Sequence, residues 1–598
     1  MSMKRILGLC LALVLIACDN KNDKKTTEKV VDHDVEFEEF KSQFIEELWK
    51  ENPIWASYEG FHSYDSILPI PNEVNRQKSL SFAKNMQNEL NQFNEKDLSD
   101  LNRIDWFMIR DYLMSIEFFE KEFKSYEWNP ASYNLGGAFF QVINYRKEPL
   151  NKRLKNIQLK LKNVDAYYKA AKANLKSPTK VHTELAIEQL EGSKSIFEKT
   201  LIDSLAVAEL EVEFKNQFKK SIESAVKSID DYVLYLKDDL LPNLPEDDDS
   251  FRIGKELFEK KFQHQIQSAY SAEEVFKAAV EEKNRLHDQM YRLSDMLWEK
   301  YFGEKEKPGV ILEQIQMVID EVSKSHVHRD SFITAIRQQI PELEKFVIDH
   351  DLLTLDPNKP LVVRETPEYM RGVAGASISA PGPYDQDAET YYNVTPLDHY
   401  SEEEAESYLR EYNDYVLQIL NIHEAIPGHY TQLVYSNQSP SMIKSILGNG
   451  AMIEGWAVYT EKMMLEAGYG GDHLEMGLMY YKWNLRTVCN TILDYGVHVH
   501  GFTEEDAMGL LMKEAFQQKS EAVGKWRRAR LSQVQLCSYF TGYYEIMQLR
   551  DEMREVLGED FDLKEFHEEF LSYGSAPVKY IRMLMLENAK NKEIKSAA

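Results

Sequence analysis

The sequence predicts a mainly α-helical protein: one large helical domain enclosing a cleft, with a small β-sheet near it. Three observations carry that reading. Apolar residues recur every three or four positions through most of the chain, with charged residues on the other faces. The segment 360–395 breaks the pattern and is rich in β-branched, aromatic and small residues. The length of 598 residues, 43% hydrophobic and 28% charged, suffices for a large core and excludes disorder, collagen-like repeats and a disulfide-stapled miniprotein.

The chain opens with Lys4 and Arg5, then an apolar run from Ile6 to Ala17 that is too short to span a bilayer as a helix. It reads as a signal peptide over residues 1–17. Its end, Leu15-Ile16-Ala17-Cys18, resembles the bacterial lipobox, which makes Cys18 the lipidated first residue of the mature chain. Residues 18–37 read as a flexible, lipid-anchored tether. The globule then covers 38–598, with an N-terminal half 38–355 and a motif-bearing half 356–598. The expectation is a protein of the bacterial cell envelope, held to the membrane at Cys18 and facing the periplasm or the outer surface. Cys489 and Cys537 are either a disulfide pair or two small buried hydrophobes.

Phe37, Phe40, Phe44 and Leu48 keep helical spacing, as do Leu154, Ile157, Leu161 and Val164, and Phe197, Leu201, Leu205 and Ala208. Pro242, Pro245 and the run Glu246–Asp249 mark a surface linker. Helices are expected near Ala272–Tyr301 and Pro341–Asp349. In the exceptional segment Leu361–Arg364 is β-prone, Gly372, Gly375 and Ala376 loosen the chain, and Thr390–Thr395 reads as a strand. From Ser401 onward the pattern is helical again. The formal net charge of −28 repels phosphate backbones and argues against a nucleic-acid partner.

The chemistry concentrates in Asn421-Ile-His423-Glu424-Ala-Ile-Pro427-Gly428-His429-Tyr430. Two histidines with a glutamate after the first are how many zinc hydrolases build a site on a helix. The imidazoles bind Zn²⁺, and the glutamate takes a proton from the water that the metal activates. The usual spacing of four places both rings about 40° apart, whereas six residues place them about 240° apart on a regular helix. Pro427 lacks an N–H and Gly428 accepts unusual backbone angles, so a π-bulge or break is expected at Ala425–Gly428. Twenty-five residues on, Glu454 begins Glu-Gly-Trp-Ala, and a glutamate on a second helix is the third ligand in one large class of zinc peptidases. Glu461, seven residues further and on the same helical face, is either a partner for the far nitrogen of a ligand histidine or a surface residue.

With Asp494-Tyr-Gly-Val-His498, Gly501-Phe502, Ser538-Tyr539 and Gly542, these motifs resemble the bacterial family catalogued as domain of unknown function 885. Its members are thought to be zinc-dependent peptidases, similar in layout to angiotensin-converting enzyme. The resemblance implies a zinc-peptidase-like helical fold, one Zn²⁺ per chain on His423, His429 and Glu454, and Glu424 as general base. Two departures touch the substrate side. This chain has Gln533-Val-Gln535-Leu where the family usually has Pro-Gly-Gln-Ala, and Arg528-Ala529 where it usually has Arg-Tyr.

Further candidates follow. His498 and Tyr539 are each either a donor to a developing oxyanion or a core residue. Arg528 is either a bidentate partner for a substrate carboxylate or part of a solvated basic cluster. Asp494 joins Glu461 as a supporting residue. Tyr391 and Asn393, on the strand at 390–395, are the candidates for binding an extended peptide along its edge. The expected function is zinc-dependent hydrolysis of peptide bonds in short peptides. The alternatives are a non-catalytic peptide- or envelope-binding lipoprotein and a metal-dependent amidase.

Overall fold

The periodic apolar faces become buried helix faces: Phe37, Phe40, Phe44 and Leu48 all lie inside, on the helix His33–Glu51. The computed structural model describes residues 33–245, 249–366, 375–380, 382–384 and 389–596. The signal peptide and Cys18 fall outside them, as does most of the tether. Residues 33–37 are a correction to the tether's boundary, because the first helix begins at His33 and Phe37 is fully buried.

Two large apolar cores form, beside a small third cluster of Ile419, Met476 and Tyr480. The larger gathers side chains from Phe37 to Leu113 and from Phe251 to Ala589, with Val181 between. The smaller joins Leu68 to residues between Tyr133 and Leu236. The expected linker near Pro242 and Pro245 therefore falls where the chain leaves the smaller core and returns to the larger. The halves 38–355 and 356–598 are not packing units, since both ends of the first half share a core with the second.

The helix Ala272–Phe302 starts at a capping box, Ser271 with Glu274, and packs along the helix Leu474–Tyr495. The helix expected at Pro341–Asp349 begins earlier, at Phe332, with Pro341 inside it. Between them lies a further helix, Ile311–Val322, within the stretch of helical pattern. Cys489 and Cys537 are free and buried. Among the described residues, no helix is long and apolar enough to cross a membrane.

Three strands interrupt the helices: β1 Leu361–Glu365, β2 Ala376–Ser379 and β3 Thr390–Val394. Their order is β1-β3-β2, with β1 parallel and β2 antiparallel to β3. β3 is thus central, with both edges taken, which overturns its expected role as a docking edge. The edge strands are β1 and β2, and the small residues of β2 read as a loosened segment.

A buried ionic cluster ties the N-terminal helices to the C-terminal half. Asp105, fully buried, accepts from Lys41 Nζ at 2.8 Å, Lys444 Nζ at 2.7 Å and Ser441 Oγ at 2.5 Å. Removing the carboxylate leaves the buried Lys444 ammonium without its counter-charge and Lys41 with only the exposed Glu38, at 2.7 Å. Asp105→Ala should lower unfolding stability by about 3–5 kcal/mol; a urea midpoint unchanged from the parent would show the cluster to be dispensable.

Candidate metal centre

The two histidines stand on separate helices. Asn413 caps the first, accepting from the N–H groups of Tyr415 and Val416 at 3.2 and 3.3 Å, and that helix, Asp414–Glu424, ends just after His423. The second, His429–Gln438, starts at the other histidine. Between them the Ile426–Pro427 bond is cis, and the Gly428 N–H donates to Ile422 O at 3.0 Å. A Cβ on Gly428 would lie 1.9 Å from the carbonyl oxygen of His423, so no other residue fits this fold-back. The carbonyl of Pro427 accepts from Trp456 Nε1 at 2.9 Å. The expected distortion is therefore a full break, and it cancels the divergence that six residues of regular helix would impose. The two rings lie 4.7 Å apart, centroid to centroid, at 87°.

Glu454 arrives on the helix Gly450–Glu466, capped by Asn449. Donor atoms of His423, His429 and Glu454 lie within 4.8 Å of one another. Glu454 Oε2 is 3.8 Å from His423 Nε2 and 3.4 Å from His429 Nε2. Ligands about 2.0–2.2 Å from one ion in a tetrahedron stand at nearly these separations. Glu454 Oε2 is also buried without a hydrogen-bond partner, so the donor set fits a zinc ion. Burial opposes the carboxylate form of Glu454, but His429, His423 and Arg528 outweigh it and hold its pKa below the usual value.

Glu461 is fully buried and accepts from His423 Nδ1 at 2.7 Å and from Trp483 Nε1 at 3.0 Å. Protonating Nδ1 leaves the Nε2 lone pair facing the cluster. Burial disfavours an imidazolium at His423, yet Glu461, with Glu424 and Glu454, lifts its pKa to about 9. Glu461 thus serves as the supporting partner, and Trp483, which the sequence reading missed, fixes its carboxylate.

A cavity of about 1270 Å³ opens on the cluster, with His423, Glu424, His429, Glu454, Arg528 and Tyr539 in its wall. Burial raises the pKa of Glu424 against the pull of His429 and His423. Tyr539 is brought in by a backbone crossing: the helix Ser538–Leu557 meets the Glu454 helix at Gly542 and Gly455. A Cβ on Gly542 would lie 1.7 Å from Ala451 O. Residues 375–378, including most of β2, line the same cavity.

Four expected site residues lie elsewhere. His498 is buried between Phe251 and Phe258, its Nε2 2.8 Å from Ala529 O, away from the cavity wall. Asp494 accepts from the N–H groups of Val534 and Leu536 at 3.2 and 3.0 Å, fixing the turn that leads to Tyr539 rather than a ligand histidine. Asn393 is fully buried in the sheet, with Arg364 Nε donating to its Oδ1 at 2.7 Å and its own amide donating to Ser379 Oγ. Tyr391 lies under the Arg364 guanidinium, 3.6 Å from ring centroid, and donates to Glu389. The strand's contribution to the site is Tyr392, whose hydroxyl donates to Asn421 Oδ1 at 2.8 Å, on the helix that carries His423.

A family model for the bacterial proteins of unknown function termed DUF885 matches residues 53–585. The chain belongs to this family. It is also similar to two solved structures, each described as a "putative lipoprotein". One, of unknown function and from Shewanella oneidensis, is 53% identical, with a TM-score of 0.87 over 92% of this chain and 99% of its own. The other, from Colwellia psychrerythraea, shares the fold at 17% identity, with a TM-score of 0.76 over 94% of this chain and 100% of its own. No curated protein matches the chain.

Two outcomes test the geometry. Gly428→Ala should separate the histidines and weaken zinc affinity by at least about 100-fold, as loss of ligand orientation implies; competition with a chelating dye would measure it, and parental affinity would refute the fold-back argument. Burial lowers the His498 pKa to about 4, against about 6.5 in an unfolded chain. Between pH 6.5 and 4 only the unfolded chain takes that proton, so stability falls with falling pH by up to about 1.4 kcal/mol per unit and is fully retained above 6.5. His498→Leu should flatten that slope in acid denaturation curves and cost about 1–3 kcal/mol at pH 7 through the orphaned Ala529 carbonyl. Zinc content should stay at the parental value; its loss would return His498 to the site.

Proposed function

We propose that the protein is a zinc-dependent hydrolase of peptide bonds in short peptides. The observation that carries this reading is the convergence of His423, His429 and Glu454 within 4.8 Å, with Glu424 beside them in one cavity wall. A binding site alone has no use for a carboxylate at that position. When bound, zinc would act as a Lewis acid, lowering the pKa of water to near 7 and polarising a carbonyl. His423, held by Glu461, and His429 and Glu454 would be its ligands.

Glu424 would take the proton from the attacking water and deliver it to the leaving amine nitrogen. The Tyr539 hydroxyl is placed to donate to the carbonyl oxygen as it gains charge, the role sought for His498. A substrate backbone can lie along the edge of β2 by adding a strand. That strand lines the cavity, whereas β3 has no edge to offer.

The cell envelope is the proposed location, with the lipid at Cys18. The lipobox supports it, and so does the description given to the Shewanella oneidensis protein.

Glu424→Gln tests the reading. Both parent and variant should carry about one zinc per chain by metal analysis, and the variant should lose roughly 10²–10⁴-fold in turnover of a short-peptide library. Activity that survives the substitution removes Glu424 as base. A zinc-loaded parent that cleaves nothing favours the binding lipoprotein.

A further inference from the structure

A turn with a strained backbone carries Tyr539 to the cavity. Val534 stands at φ +73° and ψ −27°, in the left-handed region, where a β-branched residue is strained. One 3₁₀ turn follows, Gln535–Cys537, and the chain then enters the helix Ser538–Leu557 with Tyr539 as its second residue. The direction in which Tyr539 points is therefore set by whatever holds this turn.

One side chain holds three of its groups. Asp494, fully buried near the end of the helix Leu474–Tyr495, accepts from the Val534 N–H at 3.2 Å, the Leu536 N–H at 3.0 Å and the Cys537 thiol at 3.9 Å. A further hold comes from a distant part of the chain. Lys261, on the helix Gly254–Gln265, donates from Nζ to Gln533 O at 2.8 Å and to Gln533 Oε1 at 3.3 Å. Hydrogen bonds to charged groups are the strong ones, and here they keep Val534 in a conformation it would otherwise leave. Burial pushes the Asp494 pKa up to about 7 against the pull of Lys261 and the two N–H groups, so at pH 8 the carboxylate is charged.

On the cavity side the same turn presents two groups to Arg528. Its Nη2 donates to Gln535 Oε1 at 2.6 Å and to the Tyr539 hydroxyl oxygen at 3.3 Å. The second contact occupies a lone pair of the hydroxyl and leaves its single proton free to donate into the cavity. From this arrangement we propose that Asp494 is a positioning residue for the Tyr539 hydroxyl: through the turn it grips, it aims that hydroxyl at the carbonyl oxygen of a bound substrate. The proposal rests on the hydrolase reading above. Asp494 lies behind the cavity wall and not in it. His423, Glu424, His429 and Glu454 stand on other helices, so loosening the turn costs rate and leaves metal and substrate affinity in place.

The test uses Asp494→Asn, which keeps the shape of the side chain and removes its charge, at pH 8 on the short peptide that the zinc-loaded parent cleaves fastest. Its kcat should fall roughly 10-fold with KM within about twofold, a part of the roughly 10²–10³-fold that one oxyanion donor is worth. Tyr539→Phe should show the full loss, and in that background Asp494→Asn should cost less than about twofold, because residues that act through one group are not additive. A cost that persists in the Tyr539→Phe background overturns the proposal and leaves the hydrolase reading intact. Fluorine NMR of 3-fluorotyrosine placed at position 539 gives a readout that needs no turnover. Its resonance should shift or broaden in Asp494→Asn, and also in Lys261→Met, which loosens the same turn from its other side, with zinc content unchanged from the parent. An unmoved resonance sinks the proposal even if no peptide is cleaved. Zinc lost together with the shift would make Asp494 a general support of the site and overturn its assignment to Tyr539.

Discussion

The site depends on one close contact between backbone segments, the seating of Gly428 against the carbonyls of Ile422 and His423. Its N–H donates to Ile422 O, and there is no room for a side chain. That contact ends one helix after Glu424 and starts another at His429. It turns a spacing that would splay the histidines into one that pairs them, and it leaves Glu424 at a helix end facing the cavity. The Pro427 carbonyl freed by the break is taken up by Trp456, two residues from Glu454. The same helix that supplies Glu454 therefore also supports the turn that aligns the imidazoles.

Support for the cluster spreads outward through polar groups that are themselves buried. His423 leans on Glu461, and Glu461 on Trp483. Three residues on, Arg486 leaves the same helix to hold Glu411 and Glu521. Buried carboxylates and cations of this kind add little to net stability once desolvation is counted. Their value here is orientation, because each fixes one rotamer of the next. The Gly455–Gly542 crossing does the same with backbone, setting Tyr539 beside Glu454 at a distance that larger residues would widen.

Much of this was legible in the sequence, for identifiable reasons. Helix periodicity is a local property, so the helices and two of the three strands, Leu361–Arg364 and Thr390–Thr395, could be read directly. Pro427 and Gly428 announced the break because each forbids regular helix on its own. Seven-residue spacing put Glu461 on the face of Glu454. The failures were tertiary. His498 and Asp494 sit in motif-like surroundings, yet whether a polar residue faces a cavity or a neighbouring loop depends on packing that no local pattern encodes. Asn393 was mistaken because a strand's place in its sheet follows from pairing with distant residues. β2, made of Ala, Ser and Ile, has too little β-branched character to stand out beside glycines. Trp483 gave no signal of its own.

The charge distribution adds a constraint of its own. A net −28 describes an acidic exterior, and an anionic molecule approaching it meets repulsion at long range. The cavity keeps that sign, because Glu403, Glu404, Glu411, Glu424, Glu454 and Glu521 line it against Arg486, Lys525 and Arg528. Screening reduces the outer field within about 10 Å at ordinary ionic strength, whereas the walls of a cavity preserve the inner one. The enclosed field therefore favours a cation where His423, His429 and Glu454 converge, and the charge of the wall works in the same direction as the donor set.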